Sequence, residues 1–100
     1  LNSAVIIGGV AAVASTSSFV PQAYKIIRTR DTSAISSGMY LVTVAAFALW
    51  TAYGALLSEW PLIASNGISL ILSAFILTMK MLPPPAKERV ASAFDPAKKT

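Results

Sequence analysis

The chain contains no cysteine and no histidine. Without cysteine there is neither a disulfide framework nor a thiolate metal site. Without histidine the commonest general base and the commonest metal ligand are gone. No cofactor is expected, and the chain is not read as an enzyme. Charge is scarce as well: 12% of the 100 residues carry it, against about 25% in an ordinary soluble domain. A chain this short also buries only part of its surface in water. Together these exclude a soluble globular domain. Disorder is excluded by the opposite imbalance, because disordered chains combine low hydrophobicity with high charge.

What is present is apolar length. Leu1 to Tyr24 carries no charge, nor does Thr32 to Ser58, nor Trp60 to Met79. A membrane span needs roughly 20 mostly apolar residues. The three runs predict an all-α membrane protein with three transmembrane helices, near 4–27, 38–58 and 61–81. These form one unit over 1–82, followed by a solvated, mobile cytoplasmic tail over 83–100. The soluble alternative, three wholly buried helices, fails because too few polar residues remain to cover them. A cleaved signal peptide fits the first run poorly. It lacks a basic leading segment and is followed, not preceded, by Lys25, Arg28 and Arg30. The chain opens on Leu1 rather than methionine, which leaves a trimmed start open.

The boundaries have local causes. Thr32, Ser33, Ser36, Ser37 and Gly38 form a polar turn before the second helix. Ser58-Glu59-Trp60-Pro61 is a tight link in which Pro61 suits a first helical turn and Trp60 the membrane interface. Pro83-Pro84-Pro85 ends the third helix.

All eight basic residues fall on one side of this arrangement. Lys25, Arg28 and Arg30 follow the first helix, and Lys80, Lys87, Arg89, Lys98 and Lys99 follow the third. The positive-inside rule places the N-terminus outside and the C-terminus in the cytoplasm. Topology therefore accounts for the net charge of +4, and no nucleic-acid patch with interleaved aromatics is seen. The tail's acids, Glu88 and Asp95, dilute any attraction to anionic lipid.

Polar and small residues inside the spans recur at spacings of three and four. Gly8, Ala11, Ser15, Ser18 and Gln22 mark one face of the first helix, and Asn66, Ser69 and Ser73 one face of the third. For the serines and glycines, helix–helix packing is the simpler account. Asn66 and Trp50 ask for more. Counted from the outer edge at about 1.5 Å per residue, both lie near mid-membrane on adjacent helices. An aromatic face beside an amide suits a neutral polyhydroxyl ligand, although core packing explains the same periodicity. Pro21 interrupts the ladder of the first helix and frees the carbonyl of Ser17, as a static kink or as a hinge. Apart from Lys25 and Lys80 at the basic ends, no charged residue lies inside any span, which fits an uncoupled facilitator better than an ion-coupled pump. Three helices leave no lumen wide enough for a hexose. A conduit then needs a second copy, and the charge bias makes the pair parallel.

Pro21-Gln22 near the end of a first helix, with Trp50 and Asn66 where they stand, resembles the PQ-loop superfamily and within it the SemiSWEET bacterial sugar transporters. The resemblance covers residues 4–82. It implies a parallel homodimer of six helices in the bacterial inner membrane. It also implies passive, bidirectional passage of a mono- or disaccharide by alternating access. Trp50 and Asn66 match the sugar-contacting pair, Pro21 and Gln22 the hinge, Tyr53 an outer-gate aromatic and Met39 an inner-gate residue with Phe19 closing near it. Some relatives carry an arginine one turn after the gate tyrosine, paired with an acid. Here that position is Leu57, with Glu59 still present, so Tyr53 and Leu57 are expected to close the outer gate by apolar packing. The alternatives are a carrier of another small neutral solute and a membrane assembly subunit that transports nothing.

Overall fold

A computed structural model of the protein describes residues 2–98, the side chain of Lys98 excepted. Leu1, which opens the first uncharged run, and Lys99 and Thr100 of the tail lie outside the described residues. Four α-helices follow in order: α1 over Ser3–Thr29, α2 over Ser37–Leu56, α3 over Trp60–Met81 and α4 over Pro84–Phe94. The first three are long and apolar enough to cross a membrane, and they match the three expected spans to within two residues at each end. Many of their large apolar residues are exposed, Leu49, Val42 and Leu56 among them. That is the surface a lipid-facing bundle requires.

Each boundary is a chemical event. Asn2 caps α1 by accepting from the Val5 N–H at 2.9 Å, and Ser36 caps α2 by accepting from the Met39 N–H at 3.2 Å. Pro61 sits in the first turn of α3. α2 stops at Leu56 instead of Ser58. Leu57 is its cap, and Ser58 takes a left-handed φ of 54° that no helix can continue. The Glu59 N–H then donates to the Gly54 carbonyl at 2.9 Å, closing the α2–α3 turn.

α3 packs along both α1 and α2, so it is the middle helix although it comes last of the three. Gly54 lets α2 and α3 meet closely at their shared turn. A Cβ there would lie 3.2 Å from Leu62 Cβ and 3.3 Å from Ile63 Cγ1 and backbone N. In lipid, such close packing rather than water exclusion draws helices together. Ser69 and Ser73 of α3 are fully buried.

The apolar core gathers at the basic end. Ala23 and Ile26 of α1, Ile35 of the connecting loop, Tyr40 of α2, Ile76 and Met79 of α3 and Ala91 of α4 form one buried cluster. In contrast, no described residue of α1 before Pro21 is buried. The bundle is thus knit at one end and open at the other.

The stretch beyond Pro83 departs from the expected solvated tail. Residues 84–94 form α4, Ala91 is completely buried, and Phe94 packs edge-on against Phe75 at 6.0 Å. The reason is ionic. Arg30, at the left-handed cap of α1, donates through Nη1 to Asp95 Oδ2 at 2.7 Å and through Nε to Glu88 Oε2 at 2.8 Å. Lys80 and Lys87 donate to the Thr32 carbonyl and hydroxyl at 3.0 and 3.1 Å. The acids that dilute the tail's positive charge are therefore the groups that dock it.

Candidate functional site

A cleft of about 670 Å³ opens at the end opposite the basic residues, within the range of about 300–1,000 Å³ usual for small-molecule sites. Gly8, Ala11 and Ser15 of α1 form one wall, and Leu62, Ser65 and Asn66 of α3 the other; Tyr53, Leu57 and Glu59 also line it. The α1 wall is the small-residue stripe found in the sequence. With glycine, alanine and serine there, that wall stays thin and leaves room between the helices.

Asn66 is half-buried, and its Nδ2 donates to the Leu62 carbonyl one turn back at 3.0 Å. That bond fixes the amide while using only one of its two N–H groups. No described protein group bonds its Oδ1. A half-buried amide with unused capacity, in a cleft of small residues, is suited to exchange hydrogen bonds with hydroxyls. Among the described residues, the cleft lining includes no basic side chain.

Trp50 lies outside that lining. Its indole is half-exposed, and its ring meets Tyr53 edge-on at 5.7 Å. Tyr53 in turn lines the cleft beside Leu57. One copy of the chain therefore brings Asn66, Tyr53 and Leu57 to one cleft and reaches Trp50 only through Tyr53. Met39 is exposed on the first turn of α2, whereas Phe19 packs edge-on against Tyr40 at 6.4 Å and Phe47 at 5.6 Å.

Pro21 lies within α1, which runs unbroken from Ser3 to Thr29. Beside it, the Tyr40 hydroxyl donates to Gln22 Oε1 across the α1–α2 interface. Sequence reasoning missed Tyr40, Phe47 and the ion network of Arg30 with Asp95 and Glu88. For the aromatics a signal existed: Tyr40 and Phe47 are seven residues apart, on one helical face, and a phenol in a span needs a partner. For the ion network there was none, because opposite charges 58 and 65 residues apart carry no spacing rule. Ser69 Oγ is buried without a hydrogen-bond partner, while Ser73 Oγ donates to the Leu70 carbonyl at 3.2 Å.

Comparison with known proteins covers nearly all of this architecture. Residues 5–87 match the family model described as sugar efflux transporter for intercellular exchange. The chain is 45% identical over 76 residues to the sugar transporter SemiSWEET of Bradyrhizobium diazoefficiens, covering 76% of this chain and 88% of that one. It is 38% identical, also over 76 residues, to the SemiSWEET of Leptospira biflexa, covering 76% of this chain and 89% of that one. Among solved structures it is similar to SemiSWEET in the inward-open conformation, with a TM-score of 0.74 at 32% identity, covering 92% of this chain and 99% of that one. These relatives are named as transporters, not enzymes.

Proposed function

Since the chain belongs to the family of sugar efflux transporters for intercellular exchange, we propose that it carries a neutral sugar across the membrane passively and in both directions. It does so as a parallel homodimer by alternating access. The observation that carries this reading is the cleft itself: an opening of about 670 Å³ whose described lining joins small residues, the part-satisfied amides of Asn2 and Asn66 and no basic side chain. A hydroxylated, uncharged solute is the ligand that such a lining can desolvate without leaving a charge unpaired.

A single protomer leaves Trp50 and Tyr53 half-exposed, and a second copy related by a two-fold axis would cover them. Closed two-fold pairing is the commonest oligomer solution, and transporter sites commonly lie near the midplane between repeats. In this reading Trp50 and Asn66 of both copies contact the sugar. Tyr53 and Leu57 form the outer gate by apolar packing, and Met39 and Phe19 serve the inner gate. Pro21 and Gln22 form the hinge. The membrane is the bacterial inner membrane, with the basic end in the cytoplasm as the positive-inside rule requires.

Among the described residues the cleft lining carries one acid, Glu59 of the α2–α3 turn, and no basic side chain; no charged residue lies in the middle of any span. A proton- or ion-coupled cycle would need one, so uniport is the mechanism that fits. Binding across a sugar panel tests the reading. The protein in detergent should bind at least one mono- or disaccharide saturably in calorimetry, and Asn66→Ala should abolish the signal. Tight binding of a carboxylate solute with no binding of any sugar would contradict it.

A further inference from the structure

Pro21 divides α1 into two unequal parts. Beyond it, Ala23 and Ile26 are buried in the core of the basic end, and Arg30 is held by Asp95, Glu88 and Ser92 of the α4 region. Before it, no described residue of α1 is fully buried: Phe19 packs partly buried against that core, and Gly8, Ala11 and Ser15 wall the cleft. A bend at Pro21 therefore has an anchored side and a free side, and the free side is the one that shapes the cleft.

At the border stands Tyr40. It is almost fully buried on the first turn of α2, and its ring meets Phe19, two residues before Pro21. Its hydroxyl donates to Gln22, one residue after Pro21. One side chain of α2 thus touches α1 on both sides of its weak point: through apolar ring contact on the free side and through a directional hydrogen bond on the anchored side. Apolar burial is non-directional and tolerates sliding, and the preferred geometry of a ring pair is worth only about 0.5–1.5 kcal/mol beyond it. A hydrogen bond weakens steeply once its geometry is lost.

We propose that Tyr40 is a positioning residue for transport: its hydroxyl pins Gln22 to α2, so that bending at Pro21 moves residues 3–20 against the cleft while residues 22–29 stay with the core. The assignment rests on the transport reading above but adds a residue that touches no cleft position. Without the hydroxyl, the bend spreads into both halves of α1 and less of it reaches Gly8, Ala11 and Ser15. Sugar affinity then stays while exchange slows.

Tyr40→Phe tests this, because it keeps the ring and removes one oxygen. Two measurements are made on the dimer in nanodiscs and proteoliposomes. Backbone hydrogen exchange should rise at least tenfold in residues 22–29 and stay within twofold in residues 3–20. Sugar counterflow should slow about tenfold while the sugar dissociation constant stays within twofold. Adding Gln22→Leu should cost little more, because both substitutions remove the same bond. Uniform change in exchange along α1, unchanged counterflow, or equal loss of rate and affinity would overturn the assignment. If the unsubstituted protein moves no sugar, the transport reading fails, and the hydrogen-exchange pattern alone still decides for or against Tyr40 as the anchor.

Discussion

Arg30 Nη1 and Asp95 Oδ2 meet at 2.7 Å although 65 residues separate them in sequence. The same guanidinium reaches Glu88, and Arg28 Nε lies 3.3 Å from Asp95 Oδ1. The carboxylate therefore ties the segment after α4 to the end of α1, beside the loop that leads into α2. Asp95→Asn and Arg30→Gln should each loosen α4. Trypsin should then cut after Arg89 several-fold faster than in the unsubstituted protein. An unchanged cutting rate would mean that Ala91 and Phe94 hold α4 without the charges.

The same contact sets a pH dependence. Hydrogen bonding from Arg30 holds the Asp95 carboxyl below its ordinary value, with the Ala97 N–H and the nearby positive charge of Arg28 acting in the same direction. A carboxyl whose value is depressed by folding stabilises the fold above its unfolded value and loses that contribution as pH falls through the folded one. Docking of α4 should be constant from neutral pH down to about pH 4, the ordinary aspartate range, and weaken only below it. Hydrogen exchange in residues 84–94 measured from pH 7 to pH 3 would show this. Loosening that begins near pH 6 would point to a different group.

At the α2–α3 turn, Gly54→Ala should destabilise the bundle. The new methyl would sit 3.2 Å from Leu62 Cβ and 3.3 Å from the Ile63 backbone nitrogen, and a backbone atom cannot yield as a side chain can. Overpacking of this kind costs about 1–3 kcal/mol. Thermal unfolding in detergent should show a clear drop in midpoint. Gly67→Ala, where a methyl meets nothing within 4 Å, should change little.

Within the pathway, Trp50→Ala and Asn66→Ala should each abolish sugar flux while the dimer still forms, as judged by cross-linking in membranes. Both positions lie away from the buried core of the basic end, so the fold should survive. Normal transport by both variants would show that the sugar passes elsewhere.

Pro21→Ala should slow exchange more than it weakens sugar binding. The substitution restores an N–H able to bond the Ser17 carbonyl and so stiffens α1. Counterflow rate and dissociation constant, measured side by side, check this. Equal loss of both would indicate misfolding instead of a lost bend.

Much of this architecture is legible in the sequence because the bilayer imposes a length. Uncharged runs cut by Lys25 to Asp31 and by Glu59 give the three spans almost to the residue, and proline and serine mark their ends. The stripe of Gly8, Ala11 and Ser15 and the position of Asn66 follow from helical period, and these residues do share a cleft. What pattern cannot give is contact across the chain. Nothing in the sequence says that α3 is the middle helix, that Tyr40 reaches Gln22, or that Phe19 packs on Tyr40 and Phe47. Composition also misleads at the C-terminal end. Residues 84–94 look solvated because they are polar, yet Glu88 and Asp95 are matched to Arg30 through the fold. Trp50 is the reverse case: helical period puts it near Asn66 in depth, but one protomer leaves it beside Tyr53 and outside the cleft.

The most direct test is sugar counterflow in proteoliposomes made with the purified protein and no ion gradient. The account predicts saturable exchange of labelled sugar that is unchanged when a proton gradient of either sign is imposed. Absence of exchange by folded, dimeric protein, or accumulation of sugar driven by the proton gradient, would contradict it.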